Sequence, residues 1–239
     1  MLRLDKLLAN TGYGSRKDVK LLLRKKHVTV NGKYVVNSSS HVSPDSDIIE
    51  VDGKGVHYKK YIYLMLNKPK GYISATEDAR EKTVIDLLSE DVKPFSPFPV
   101  GRLDKDTEGL LLLTNDGELN HHLTSPKKEV PKTYEAFVKG KVTDAHVDIF
   151  QGGVILDDGY KTKPASLQII SSNDQSIVRL IITEGKYHQV KRMFKAIGME
   201  VVYLKRLKMG SLWLDETLQR GEFRELTERE IAQLTSTGI

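Results

Sequence analysis

The sequence feature that most constrains the fold is an apolar run, Leu110 to Leu113, directly after a dense polar segment. A short unbroken apolar run between polar flanks predicts a buried strand. The polar segment carries Arg102, Asp104, Asp106 and Glu108. Polar loops held by rigid core strands are a common location for catalytic and binding side chains. Spacing alone leaves two interpretations open: a functional loop, or a capped turn whose carboxylates face water.

The glycines that bracket this segment, Gly101 and Gly109, allow its backbone to turn or to approach a ligand closely. The run from Asp104 to Gly109 imitates the start of a calcium-binding loop. Such a loop needs a glutamate at its twelfth position, which here is Asn115. Calcium is therefore excluded, and no metal site is predicted elsewhere.

Length and composition limit the classes of protein. The chain has 239 residues, 39% hydrophobic and 29% charged, enough for one large domain or for one medium and one small. It has no cysteine, which excludes disulfides, zinc ribbons and thiol nucleophiles. No apolar run is long enough to span a membrane, and the first residues lack a signal-peptide pattern, so we expect a cytoplasmic protein.

The positive charge is concentrated near the beginning of the chain. Residues 1–60 contain 12 Lys and Arg against 6 Asp and Glu, whereas residues 61–239 contain 25 and 26. The entire excess of +5 therefore comes from the first quarter. This asymmetry predicts a module that meets a polyanion, most plausibly nucleic acid.

Two short helices are predicted in this basic module, over residues 3–10 and 15–26. Ser15 and Asp18 have the spacing of a capping box at the start of the second helix. Cations crowd the polar faces, and a solvated basic helix is the alternative to a binding surface. The candidate nucleic-acid contacts are Arg3, Lys6, Arg16, Lys17, Lys20, Arg24, Lys25 and Lys26.

A hairpin with a type I′ turn at Asn31-Gly32 is predicted next, followed by a strand over residues 48–51. Residues 53–60 have the composition of a polar linker. The predicted domains are accordingly 1–58, the basic module, and 59–239, a larger body.

The larger body is predicted to be rich in strands. Strands outnumber helices and do not alternate regularly with them, which indicates an α+β fold with a largely antiparallel sheet. The predicted strands are 62–66, 110–113, 132–138, 154–156, 166–170, 177–183 and 201–204, and the predicted helices are a turn at 84–88, 118–123, 188–197 and a final helix capped at Thr227.

A second polar concentration lies at residues 183–194, where Lys186, Lys191 and Arg192 surround a predicted strand-to-helix turn. A cationic helix start can bind phosphate, which makes Lys186, Lys191 and Arg192 candidate substrate-binding residues. One of its cations could equally keep a buried aspartate ionised. A basic surface turn is the alternative.

Residues 2–52 resemble the RNA-binding domain of the ribosomal protein S-four type, in Arg3-Leu-Asp-Lys, Ser15-Arg and Val28-Thr-Val-Asn-Gly-Lys. The whole chain resembles the RsuA-type pseudouridine synthases. The matching motifs are Asn67-Lys-Pro-x-Gly, Gly101-Arg-Leu-Asp-x-Asp-Thr-x-Gly-Leu, Lys132-Thr-Tyr, Glu184-Gly-Lys-Tyr-His-Gln-Val-Lys-Arg-Met and Gly221-Glu-Phe-Arg-Glu-Leu-Thr.

The resemblance implies an S-four-type domain followed by a pseudouridine synthase domain, and a role for each matched position. Asp104 would be the catalytic carboxylate, acting at C1′, at C6 or on a sugar proton. Tyr134 would stack on the uracil, Leu204 would form an apolar wall, and Lys191 would pair with Asp104. Arg102 would fill the space left by the everted base or bind the flanking phosphate.

The resemblance further implies a cofactor-free isomerase that converts a uridine of small-subunit ribosomal RNA, at position 516, to pseudouridine. We expect the RNA to lie within a small-subunit assembly particle and the protein to be a monomer without membrane contact. Two alternatives stay open: a large-subunit ribosomal RNA target, and a non-catalytic ribosome-associated RNA-binding protein.

Overall fold

The structure is a computed structural model that describes residues 1–56 and 58–236. His57, inside the predicted linker, and residues 237–239 lie outside the described residues. The chain divides into two compact units. The first contains Met1–Ile62 and Leu88–Pro97, and the second contains Tyr63–Leu87 and Phe98–Ile239.

Helices and strands are numbered in chain order. The α-helices of the described residues are α1 (Leu4–Asn10), α2 (Arg16–Arg24), α3 (Gly117–Thr124), α4 (Asp144–Gly152), α5 (Gln189–Ala196) and α6 (Glu228–Ser236). The strands are β1 (Leu2–Arg3), β2 (Val28–Val30), β3 (Lys33–Tyr34), β4 (His41–Val42), β5 (Ile49–Val51), β6 (Lys54–Gly55), β7 (Tyr63–Lys68), β8 (Phe98–Pro99), β9 (Glu108–Thr114), β10 (Lys132–Lys139), β11 (Ser166–Ser171), β12 (Gln175–Ile182), β13 (Glu200–Met209), β14 (Leu212–Trp213) and β15 (Phe223–Glu225).

The first unit is built as the local sequence signals predict. Ser15 and Asp18 form the reciprocal capping box that begins α2. Asn31 and Gly32 have φ angles of +52° and +75°, as a type I′ turn requires. The small sheet has the order β3-β2-β5-β6. Its core consists of Leu4, Leu7, Leu8, Val19, Leu23, Val28, Val42, Ile49 and Val51.

The second unit is organised on a nine-stranded sheet with the order β11-β12-β10-β13-β9-β7-β15, to which β8 and β14 add at β9 and β13. Among the described strands of this sheet, only the pairing of β9 with β13 is parallel. The prediction of an α+β fold with a largely antiparallel sheet is confirmed.

Strand β9 lies inside this sheet, and all seven of its residues are buried, as its leucine run predicted. Leu110 and Leu112 pack in one cluster with Leu119 and Leu123 of α3. Helices α4 and α5 also meet, since their Phe150 and Phe194 rings lie 4.9 Å apart between centroids. The α3 leucines therefore supply part of the apolar cover that β9 requires.

Three predictions of secondary structure were inaccurate. The predicted strand at 154–156 is wrong, because only Ile155 bridges to Lys161 there. Helix α4 was not predicted. Phe150 is its one buried residue, so its sequence lacks the repeated apolar positions that identify an amphipathic helix. Strand β13 runs on to Met209, beyond the predicted end at 204.

In the ranges that the structure describes, no helix is both long enough and apolar enough to cross a membrane.

Candidate active site

The Asp104 loop, defined as residues 100–107, connects β8 to β9 and is fixed by hydrogen bonds from a neighbouring segment. Ser74 Oγ donates to the Leu103 carbonyl at 2.9 Å and accepts from the Leu103 amide at 3.0 Å. The Gly71 amide donates to the Lys105 carbonyl at 2.8 Å. The loop therefore has a defined conformation before any substrate arrives.

Lys68, at the end of β7, holds the same loop from a fully buried position. Its ammonium donates to the carbonyls of Asp104 at 3.0 Å, Thr107 at 2.9 Å and Pro69 at 3.1 Å. Burial lowers the pKa of Lys68 to about 8, against the opposing charges of Asp106 and Asp104. Sequence reasoning included Lys68 in a motif but gave it no role, because nothing local marks a lysine as buried.

The Asp104 carboxylate is partly sheltered, with 30% of its side chain exposed. His188 Nε2 lies 3.4 Å from one of its oxygens, and Lys191 Nζ lies 3.8 Å from the other. Lys191 is beside Asp104 as predicted, but its hydrogen bond, at 2.5 Å, goes to Asp106. Burial opposes ionisation of Asp106, yet the Lys191 hydrogen bond and charge outweigh it and lower the pKa of Asp106.

A cleft of about 600 Å³ opens beside Asp104. Tyr134 lines this cleft and is only 8% exposed, so its ring belongs to the cleft wall rather than to the surface. Arg102 and Lys186 line it as well. The structure therefore brings four of the predicted site residues to one cavity.

A smaller side pocket, of about 80 Å³, adjoins this cleft. Asp104 and Tyr134 line both cavities, and the side pocket adds an apolar wall of Ile182, Val190 and Leu204. Polar side chains, including those of Thr107 and Gln189, complete its lining. A planar base with an apolar face and polar edges is the kind of ligand that such a pocket accommodates.

The turn between β12 and α5 is rigidly built. The buried Glu184 accepts hydrogen bonds from Tyr160 Oη at 2.7 Å and from Gln189 Nε2 at 2.8 Å. His188 has a left-handed backbone, with φ +48°, and the Tyr187 ring stacks on it at 3.8 Å between centroids. Sequence reasoning missed His188 because its proximity to Asp104 depends on this turn.

The remaining predicted cations differ in their surroundings. Lys186 Nζ lies 4.6 Å from the centre of the Tyr160 ring. Arg102 is exposed, and it makes no hydrogen bond or ion pair with any described residue. Arg192 is bound to Asp157 and to Asp158, the latter at 2.7 Å, and these hydrogen bonds raise the pKa of its guanidinium.

Arg192 consequently does not line the cleft, in contrast to its predicted substrate-binding role. It belongs to a separate, shallower depression with Asp157, Lys191 and Lys195. Two cations that were not predicted, Lys132 and Arg206, do line the cleft although both are buried. The positive charge of the cleft therefore comes partly from buried residues, which the sequence pattern did not identify as site residues.

In the first unit, all eight cations predicted to contact nucleic acid are exposed. Arg3 is paired with Asp5 at 2.7 Å, and that hydrogen bond and charge raise the pKa of Arg3. The other seven form no ion pair within residues 1–56 and 58–236 and are available for phosphates. They are Lys6, Arg16, Lys17, Lys20, Arg24, Lys25 and Lys26.

No group of three or more His, Cys, Asp or Glu side chains in the described part of the chain is arranged to hold a metal ion. The chemistry available at the cleft is that of the partly exposed Asp104 carboxylate beside cations, an aromatic ring and a side pocket with an apolar wall. This arrangement can bind a nucleoside by its base and place the carboxylate near the sugar and the ring.

Comparison with known proteins identifies the class. Residues 62–196 match the RNA pseudouridylate synthase family, and residues 2–48 match the S4 domain. The chain belongs to the RNA pseudouridylate synthase family and is an isomerase of that class. Its S4 domain followed by the synthase domain places it with the RsuA-type enzymes.

Relatives support this assignment over nearly the full chain. The chain is 55% identical to the "Uncharacterized RNA pseudouridine synthase YtzG" of Bacillus subtilis, covering 96% of this chain and 97% of the relative. It is 42% identical to the "Ribosomal large subunit pseudouridine synthase B" of Bacillus subtilis, covering 98% and 96%. It is 41% identical to the "Ribosomal small subunit pseudouridine synthase A" of Escherichia coli, covering 98% and 100%.

Among solved structures, a crystal structure described as a pseudouridylate synthase is 37% identical to this chain, with a TM-score of 0.69. The match covers 98% of this chain and 100% of that chain.

Proposed function

We propose that this protein converts one uridine of small-subunit ribosomal RNA, at position 516, to pseudouridine without a cofactor. The observation that carries the proposal is the position of Asp104, which lines both the cleft and its side pocket together with Tyr134. Asp104 is the single catalytic carboxylate in this proposal.

The geometry supports a sequence of steps. The uridine leaves its stack, which costs about a few kcal/mol of unstacking free energy. Its base then enters the side pocket against Tyr134 and Leu204. Lys191 Nζ and His188 Nε2 lie 3.8 and 3.4 Å from the Asp104 carboxylate, which faces the sugar of the bound nucleoside in this proposal. The bond from C1′ to N1 breaks, and the pocket retains the detached base while it turns. C5 then bonds to C1′ and loses its proton, while N1 gains one, so the reaction is an isomerisation.

One sequence feature supports the small subunit as the target, and the basic surface of the first unit supports a large folded RNA as the substrate. The amino-acid sequence of the segment Tyr187-His-Gln-Val-Lys-Arg-Met-Phe resembles the corresponding motif of the small-subunit enzymes. The exposed cations of α1 and α2 supply the phosphate contacts that a large folded RNA requires. We propose that the domain of residues 1–58 binds this RNA within a small-subunit assembly particle, and that the protein acts as a cytoplasmic monomer.

A second candidate target is large-subunit ribosomal RNA. It is favoured by the 42% identity to the relative named as a large-subunit enzyme.

The experiment maps pseudouridine in both ribosomal RNAs of a strain that lacks the gene. The strain is then complemented with the wild type, with Asp104→Asn and with the matched variant Asp106→Asn. We expect the loss of pseudouridine 516, its restoration by the wild type and by Asp106→Asn, and no restoration by Asp104→Asn.

Other outcomes are equally informative. A loss confined to the large subunit would select the second candidate. Unchanged maps in both RNAs, with RNA binding retained, would identify a non-catalytic RNA-binding protein and overturn the proposed activity.

A further inference from the structure

Two buried cations lie on the cleft surface beside Tyr134. Lys132 is 7% exposed and Arg206 is 3% exposed, and both line the cleft. Lys132 and Tyr134 are alternate residues of β10, and Arg206 of β13 is the direct partner of Tyr134 in the sheet. Alternate residues of a strand and paired residues of neighbouring strands share a face. The sheet therefore presents all three side chains to the cleft.

The hydrogen-bonding capacity of these cations is incompletely used. Arg206 Nε donates to the Leu110 carbonyl at 2.7 Å. Its buried Nη2 has no partner among the described residues. Lys132 likewise makes no hydrogen bond or ion pair with any residue that the structure describes. Burial, and after it the charge of Arg206, lowers the pKa of Lys132 to about 8.

The one buried carboxylate that lines this cleft is committed elsewhere. Glu184 accepts hydrogen bonds from Tyr160 and Gln189 side chains and from the Lys163 amide. Two neighbouring buried cations without a carboxylate partner are unfavourable in the free protein, because each has lost its hydration. Such an arrangement is complementary to an anion that arrives from outside.

We propose that Lys132 and Arg206 form a phosphate site that binds the RNA backbone at the nucleotide being isomerised. The proposal rests on the proposed function, since it assigns a further part of the same substrate. Arg206 would donate through the free edge of its guanidinium, and Lys132 would contribute a point charge.

A backbone phosphate fits this location better than the uracil ring. The side pocket that suits the base combines an apolar wall of Ile182, Val190 and Leu204 with polar side chains that can meet the edge of a uracil ring. Neither Lys132 nor Arg206 lines it. Asp104 and Tyr134 line both cavities. A nucleoside whose base fills the side pocket therefore has its sugar at Asp104 and its phosphate toward the two cations.

The first test measures binding of uridine, uridine 5′-monophosphate and uridine 3′-monophosphate to the full-length protein by ligand-observed NMR titration. We expect the wild type to bind at least one monophosphate about tenfold more tightly than uridine, as one charged hydrogen-bond contact would give. Lys132→Met should lose this preference. The matched control is Lys139→Met, which removes an exposed lysine from the other end of β10.

Either of two results would overturn the proposal: equal binding of uridine and both monophosphates by the wild type, or a phosphate preference that survives in Lys132→Met. A preference lost equally in Lys139→Met would also refute it, because the effect would then reflect general charge.

The second test separates a phosphate contact from a purely structural role. Transcribed small- and large-subunit ribosomal RNAs serve as substrates for wild type, Lys132→Met and Lys132→Arg. We expect Lys132→Met to raise KM about tenfold while kcat stays within about threefold, because the phosphate is remote from the reacting bond. Lys132→Arg should recover most of the loss.

Thermal unfolding supplies the independent readout. Removing a buried unpaired charge should leave the melting temperature of Lys132→Met unchanged or raise it. A lowered melting temperature with an unchanged KM would assign Lys132 a structural role and refute the phosphate site. If the wild type forms no pseudouridine at all, the proposed function fails, whereas the monophosphate titration still decides the phosphate site.

Discussion

Gly109 is the residue at which the catalytic segment is most sensitive to one added methyl group. It follows the Asp104 loop, and its φ of +99° is a conformation that alanine rarely adopts. It also pairs with Arg206 in the parallel contact between β9 and β13. A Cβ at this position would overlap the Arg206 carbonyl oxygen and would lie 2.9 Å from the Arg206 amide nitrogen.

The cost of Gly109→Ala has two parts. A non-glycine residue at positive φ loses roughly 1–2 kcal/mol. The overlap is with backbone of a neighbouring strand, so relieving it must part β9 from β13 and strain hydrogen bonds worth about 1 kcal/mol each. A total of about 3 kcal/mol would lower the melting temperature of a domain of this size by about 6–12 °C.

The assay is thermal unfolding of the wild type, Gly109→Ala and the control Gly117→Ala. Gly117 begins α3, and a Cβ there would meet no atom within 4 Å. Alanine favours a helix over glycine by about 1 kcal/mol, so the control should be unchanged or slightly stabilised. A shift of about 2 °C corresponds to a loss of about 1 kcal/mol in the free energy of unfolding. If the melting temperature of Gly109→Ala lies within about 2 °C of the wild type, the close approach of these strands is refuted.

Four further predictions concern the charges around Asp104. Lys68→Met should reduce single-turnover pseudouridine formation by about 10- to 100-fold, because the loop carbonyls lose the ammonium that positions Asp104. Asp106→Asn should change kcat/KM by less than about fivefold, since an exposed ion pair contributes at most about 1 kcal/mol. Arg192→Gln should leave kcat unchanged because Arg192 is outside the cleft. Steady-state kinetics of pseudouridine formation measure both this kcat and the kcat/KM of Asp106→Asn. Lys132 has a folded pKa of about 8 against an ordinary value of 10.5, so between these two pH values the unfolded chain binds more protons and stability rises with pH. Denaturant unfolding at pH 7 and pH 10 should show this rise, of about 2–3 kcal/mol, in the wild type relative to Lys132→Met, which lacks the titrating group.

The elements that could be predicted from sequence are those specified by neighbours in the chain. The Ser15 capping box, the Asn31-Gly32 turn and the leucines of β9 each act within a few residues. The grouping of Asp104, Tyr134 and Leu204 was predicted from motif resemblance, and the structure places all three around the side pocket.

The features that escaped prediction depend on contacts between distant segments. Lys68 is buried because the carbonyls that accept its hydrogen bonds come from residues 36 and 39 positions later. Lys191 lies 3.8 Å from Asp104, the predicted partner, but its hydrogen bond goes to Asp106. The two aspartates are two positions apart in one loop, and sequence spacing does not show which of them accepts the hydrogen bond. Arg192 was expected at the substrate, but the turn at Asp157 and Asp158 supplies it with two carboxylates.

The cations and the carboxylate at and near the cleft are held by different elements, which affects substrate binding. Lys68, Lys132 and Arg206 are held by strands of the central sheet, whereas Asp104 lies on a loop whose position depends on Lys68. Cations on rigid strands cannot move to relieve one another, so the unfavourable charge at Lys132 and Arg206 persists until an anion arrives. A backbone phosphate that removes this repulsion would therefore stabilise the bound substrate and the transition state alike, because the phosphate contact does not change as the glycosidic bond breaks. The contribution of Lys132 and Arg206 should accordingly appear in KM rather than in kcat.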